Sequence, residues 1–210
     1  MCGRGRPATR GTEGTPMQNS ATPLEYAAPA IAVVPILSDG RTDTLLDWLS
    51  HALKARGVRV AGALRTKSPK GSASYCDAVL RVLPDGPEVR ITQDLGTGST
   101  ACRLDAAAIE TVAGLAMAHL DQAGGDIVVL NKFGISEAEG RGFRSLIGAA
   151  VSRGIPVMIG VSETHRDAFN AFCDGMAVEV PASEQPALAW CLAAVGMKNP
   201  AAVSSAAAAR

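Results

Sequence analysis

The sequence predicts an α/β protein built on a doubly wound, mainly parallel sheet with one β-hairpin inserted into it. Three observations carry that expectation. Short apolar runs rich in Val, Ile and Ala alternate with longer segments of helical spacing. The connections between them are short, which favours parallel strands joined by helical crossovers. One pair of runs is instead joined by Pro84-Asp85-Gly86-Pro87, a turn cluster that folds the chain back on itself.

In chain order, residues 30–37 are an apolar strand and Ser38-Asp39-Gly40 a turn. Residues 42–56 carry Leu45, Leu46, Leu49, Ala52 and Leu53 at helical spacing, and Gly57 stops that helix. Residues 58–64 form the second strand, followed by a basic loop over residues 65–74 with the character of a lid. Residues 77–82 and 88–92 make the hairpin. Asp105 stands at the N-cap of an alanine-rich helix reaching residue 120. After a strand at 127–130, Ser136 and Glu139 have the spacing of a capping box for a helix running to residue 153. A strand at 157–161, a helix at 164–172, a short strand at 177–180 and a helix at 183–195 complete the order.

With 210 residues, 47% hydrophobic and 19% charged, the chain suits a single well-buried domain. That domain is expected over residues 29–196, behind a disordered arm at 1–28 and ahead of a low-complexity tail at 197–210. Met17 is an alternative start, because nothing before it has a foldable pattern. Gly3-Arg4-Gly5-Arg6-Pro7 has the residues of a minor-groove hook, but in so polar an arm it reads as leader. Zero net charge supplies no bulk field for nucleic acid or a membrane surface, so any anion site must be local.

Five cysteines without a Cys-x-x-Cys pair argue against a zinc ribbon, a redox motif or a disulfide framework, and favour burial. Three isolated histidines suggest no metal site, and no nucleophile–base arrangement suggests catalysis. No apolar run is long enough to span a bilayer and the start lacks a signal peptide's apolar core. The expectation is a cytoplasmic protein without membrane insertion or nucleic-acid partner.

Chemistry concentrates in two segments and one turn. In residues 126–144, DIVVLNKFGISEAEGRGFR, a strand runs into Asn131 and Lys132, the way a site is built at the carboxyl end of a parallel strand. Gly140 and Gly142 would each weaken a helix by about 1 kcal/mol, so they point to close approach of a backbone, a ligand or a second subunit. On a helix Arg141 and Arg144 share a face. With Lys132 they would surround an oxyanion, or else pair with Glu137 and Glu139. In residues 93–105, Gln93, Asp94, Gly96, Gly98, Ser99 and Arg103 have the composition of an anion-holding nest, and equally of a glycine-rich connection capped by Asp105. The first turn, with Gly40, Arg41 and Thr42, has the location of a phosphate loop but lacks its pattern. Asp39 and Asp43 would repel a polyphosphate there, although a helix N-terminus still offers N–H groups to a small anion. His165, at a helix start after a strand, is the histidine best placed to approach the site.

Three stretches together, ITQDLGTGSTACRLD at 91–105, DIVVLNKFGISEAEGRGFR at 126–144 and GIPVMIGV at 154–161, resemble the bacterial family named domain of unknown function 2478. The resemblance runs in order over residues 30–195 and implies an association with molybdate transport. More distantly, the layout is similar to the cancer-related nucleoside triphosphatases. That similarity implies a P-loop-NTPase-like fold with degenerate Walker motifs: Asn131-Lys132-Phe133-Gly134 stands in the place of Asp-Glu-Ile-Gly, and the first turn lacks the P-loop lysine.

The function expected is non-hydrolytic binding of a small oxyanion, molybdate or tungstate, in molybdenum handling, with no other cofactor. Lys132, Arg103, Arg141 and Arg144 would supply charge; Asn131, Gln93, Ser99 and backbone amides would supply hydrogen bonds. Two alternatives stand beside it. One is a nucleoside triphosphatase or nucleotide-dependent transferase using Glu137, Glu139 or Asp94, with Arg41 or Lys132 on phosphates. The other is a regulatory or scaffold protein in which the glycine–arginine segment is a homo-oligomer contact.

Overall fold

The computed structural model describes Met1 and residues 30–37, 39–66, 78–93 and 104–198. Its strands are β1 (Ile31–Pro35), β2 (Val60–Arg65), β3 (Val79–Leu83), β4 (Glu88–Arg90), β5 (Ile127–Phe133), β6 (Val157–Val161) and β7 (Ala177–Glu179). Its helices are α1 (Arg41–Lys54), α2 (Ala106–Ala123), α3 (Ile135–Ala138), α4 (Arg144–Ser152), α5 (Arg166–Cys173) and α6 (Glu184–Lys198), with a 3-10 turn at Glu163–His165. The seven strands lie in the order β4-β3-β2-β5-β6-β1-β7. All neighbours from β2 to β7 pair in parallel, and β3 and β4 form the antiparallel hairpin. The mainly parallel α/β sheet with an inserted hairpin is therefore observed.

The central strands are buried on both faces, which is why their sequence reads as continuous apolar runs rather than alternation. Val128 and Leu130 face the layer that contains α2, α4 and α5. Ile127 and Val129, one residue out of phase, face the layer of α1 and α6. Each helix covers the sheet with the apolar stripe its spacing provides, as with Leu46, Leu49 and Leu53 on α1. Asp105 caps α2 as expected, its side chain accepting from the N–H groups of Ala107 and Ala108. No helix among the described residues is long and apolar enough to cross a membrane.

The site is positioned by one topological fact. β6 and β1 are neighbours, yet the chain leaves β1 through α1 on one face towards β2, and leaves β6 through α5 on the other face towards β7. Connections that diverge in this way open a crevice at the carboxyl ends of the strands.

Three expectations need correction. β5 continues through Asn131 and Lys132 to Phe133, so both residues belong to the strand rather than to a loop after it. Arg65 is the last residue of β2, not the start of a loop. The helix expected from Ser136 to residue 153 is broken: α3 lasts four residues, and the chain turns at Gly140 (φ 87°) and Gly142 (φ 61°) before α4 begins. Only glycine adopts such φ values readily, so these residues end a helix instead of thinning one. Arg141 consequently lies outside any helix and shares no helical face with Arg144.

β5 also carries an irregularity that strand periodicity does not reveal. Leu130 pairs with Ile159 and Phe133 with Val161, so β5 has one residue more than β6 over the same span. This β-bulge contains Asn131 and Lys132. It is accommodated by Gly160 on β6, where a Cβ would meet the Asn131 carbonyl oxygen at 2.4 Å.

Two measurements check the packing. Asp105→Ala removes the cap of α2 and is expected to cost about 1 kcal/mol in urea denaturation. Burial pushes the thiol of Cys173 up to about 11 and that of Cys191 up to about 12. A protein carrying Cys2→Ser, Cys76→Ser and Cys102→Ser should therefore show no native reaction with Ellman's reagent at mildly alkaline pH, and two thiols once unfolded.

Candidate functional site

A cavity of about 350 Å³ occupies the crevice. The β1–α1 turn contributes Ile36, Leu37, Gly40 and Asp43; the ends of β2 and β5 contribute Arg65, Asn131 and Lys132. The hairpin and the start of α2 contribute Leu80, Ile91, Leu104 and Ile109. Gly134, Glu137 and Phe143 close it from the segment after β5, and His165 from the segment after β6. The cavity is thus polar where parallel strands end and apolar where the hairpin and α2 meet.

The first turn is tied up in its own structure. Thr42 is 1% exposed; its hydroxyl donates to the Pro35 carbonyl at 3.0 Å and accepts from the Leu37 N–H at 2.9 Å. Gly40 takes the left-handed conformation at the N-cap of α1, which no side chain caps. Arg41 is exposed and its guanidinium donates to Asp39 at 2.6 Å, outside the residues that line the cavity.

The two polar residues of the β5 bulge differ in exposure and bonding. Asn131 is 7% exposed, and its side-chain oxygen accepts the Arg65 N–H at 3.2 Å, which links β5 to the end of β2. Lys132 is exposed, lines the cavity and has no ion-pair partner among the described residues. Arg65 is the second cation there, its guanidinium 3.8 Å from the Asp43 carboxylate.

The segment after β5 is organised by Glu137. This residue is 4% exposed; one carboxylate oxygen accepts the Gly134 N–H at 2.8 Å and the other the Phe143 N–H at 3.0 Å. The cap at this helix start thus comes from the Glu137 carboxylate accepting the Gly134 N–H, not from the Ser136–Glu139 pair that the spacing suggests. The carboxylate fills the space beside Gly142, where a Cβ would stand 2.2 Å from its oxygen.

The remaining cations of this segment face elsewhere. Arg141 pairs with Glu139, both half-exposed at the surface. Arg144 lays its guanidinium 4.4 Å from the centre of the Phe172 ring and donates to the Glu137 carbonyl at 3.3 Å. Of the cations expected to surround an anion, Lys132 lines the cavity, while Arg141 and Arg144 do not.

The second segment approaches the cavity by its ends. Thr92 and Leu104 form an isolated antiparallel bridge, and the Asp105 N–H donates to the Ile91 carbonyl at 2.9 Å. Ile91 and Leu104 line the cavity, and Gln93 is exposed outside it. Asp94, Gly96, Gly98, Ser99 and Arg103 lie outside the described residues.

Sequence reasoning passed over Arg65 and the apolar wall. Both depend on which strands become neighbours: Arg65 meets Asn131 only because β2 lies beside β5, a long-range pairing with no local signature. Charged hydrogen bonds to a buried carboxylate contribute about 1.5–3 kcal/mol. Glu137→Gln keeps the shape but presents an NH₂ to one of two N–H donors, so a loss of about that size is expected in chemical denaturation. An unchanged midpoint would show that the Gly134–Phe143 segment is held by other contacts.

Three comparisons with known proteins bear on this arrangement. The chain matches the family described as Protein of unknown function (DUF2478) over residues 31–190. It is 32% identical over 174 residues to Molybdenum import ATP-binding protein ModC 2 of Bradyrhizobium diazoefficiens, a similarity covering 81% of this chain and 19% of that protein. The chain therefore spans about a fifth of that relative's length. Among solved structures it is similar to THEP1 from the hyperthermophile Aquifex aeolicus, with a TM-score of 0.49 and 11% identity, covering 73% of this chain and 89% of that one. The family match spans most of the chain, and the protein belongs to the DUF2478 family.

Proposed function

We propose that the cavity binds an oxyanion group without hydrolysing it, and that the domain serves molybdenum handling with molybdate or tungstate as the oxyanion. The observation that carries this reading is Lys132, a cation on the cavity wall with no carboxylate partner among the described residues. An ammonium on the same cavity wall as Asn131 and Arg65 can give an oxyanion charge-assisted hydrogen bonds from several directions. The molybdenum part rests on the similarity to a relative whose name is Molybdenum import ATP-binding protein.

Among the described residues, which exclude Asp94, the hydrolytic alternative has less to work with. Both carboxylate oxygens of Glu137 are occupied by backbone N–H groups, and Glu139 is paired at the surface with Arg141. The Thr42 hydroxyl is bonded within its own turn, and Arg41 is held by Asp39. A general base must reach the proton it abstracts, and a phosphate-binding turn must offer its groups to the ligand.

Calorimetric titration with molybdate, tungstate, sulfate and phosphate tests the reading. At least one should give saturable heat, and Lys132→Met should weaken it by about ten- to a hundredfold, the equivalent of losing one charged hydrogen bond. Absence of heat with every oxyanion, together with an unchanged melting temperature, would overturn it. Magnesium-dependent phosphate release from nucleotides that disappears in Glu139→Gln would favour the hydrolase instead.

A further inference from the structure

We infer that the oxyanion is the head group of an organic ligand: a compact, largely apolar body carrying one anionic group. This rests on the oxyanion reading above and adds what the rest of the cavity accommodates. Water takes about 30 Å³ per molecule in the liquid, so a space of about 350 Å³ has room for roughly ten waters. A bare tetrahedral oxyanion fills a small part of it. Pockets for small organic molecules run from about 300 to 1,000 Å³ and are mostly apolar with a few fixed polar groups, which is the composition found here.

The wall opposite the cations is built for burial. Leu80, Ile91, Ile109 and Phe143 are between 4% and 6% exposed, yet all four border the cavity. Leu104 adds a partly exposed apolar rim at 38%. Apolar surface left against water in the cavity would be covered by an apolar ligand body, which is a favourable transfer. A free oxyanion touching only Lys132 and its neighbours gains none of this.

Charge limits the head group. Among the described residues, two cations, Lys132 and Arg65, and two carboxylates, Asp43 and Glu137, line the cavity. Arg65 is engaged with Asp43 and Glu137 with two N–H groups, so Lys132 is the lining cation without a carboxylate partner among the described residues. One cation without a carboxylate partner suits one anionic group. Among the described residues, a polyphosphate would meet the Asp43 carboxylate before a second cation free of a carboxylate.

Binding of phenyl phosphate, inorganic phosphate and ATP without magnesium to the full chain separates the cases. Phenyl phosphate should bind at least about tenfold more tightly than inorganic phosphate, because burying the ring adds apolar area. Leu104→Gln, at a partly exposed rim position, should reduce that preference several-fold. Lys132→Met should weaken both. Equal binding of the two phosphates would overturn the organic ligand while leaving the oxyanion reading intact; no binding of either would remove both. Phenyl phosphate binding insensitive to both substitutions, or ATP binding far tighter than phenyl phosphate, would also overturn the inference.

Discussion

One extra residue in β5 sets the geometry of the site. A regular parallel pairing would carry Asn131 and Lys132 in step with β6, one towards each layer of the sheet. The bulge between Leu130 and Phe133 breaks that register, so Asn131 bonds the end of β2 while Lys132 reaches the crevice. Such a distortion persists only if the neighbouring strand yields space and the following chain is held. Gly160 yields the space, and Glu137 holds the chain by gripping Gly134 and Phe143 across the turn. Asn131, Lys132, Gly142 and Gly160 therefore form one interdependent set.

The same carboxylate explains why the segment is rich in both acids and arginines without being a cluster of ligands. Glu137 is spent on backbone N–H groups, Glu139 on Arg141, and Arg144 on the Phe172 ring. Phe172 in turn stacks on Phe133, whose ring meets Phe169 edge-on, so the end of β5 is anchored to α5 through aromatic contacts. Among the described residues, the polar groups left on the cavity wall include Lys132, the Asn131 amide, Ser136, His165 and an arginine shared with Asp43.

The alternation of strands and helices is legible in the sequence because strands buried on both faces become continuous apolar runs, and α1 shows its stripe through Leu45, Leu46, Leu49 and Leu53. The cap at Asp105 is legible for the same local reason. The site is legible only in outline. The Asn131–Lys132 pair stands out as polar residues at the end of an apolar strand, but the bulge is a register relation between β5 and β6 that no single stretch encodes. Ser136 and Glu139 have the capping spacing, yet Gly134 starts the helix and Glu137 caps it, because the carboxylate also finds the Phe143 N–H across the turn. Arg65 and the apolar wall become visible only once β2, β5 and the hairpin are side by side.

The central claim is that ligand binds at the carboxyl ends of β2 and β5, against Lys132. Mapping amide chemical-shift changes on the isotopically labelled chain during titration with phenyl phosphate tests this most directly. The account predicts saturable shifts concentrated at Arg65, Asn131, Lys132, Gly134 and Leu104, with the amino-terminal ends of the strands around Arg59 and Gly124 unmoved. Shifts concentrated around Arg59 and Gly124, with the Asn131–Gly134 amides silent, would contradict it.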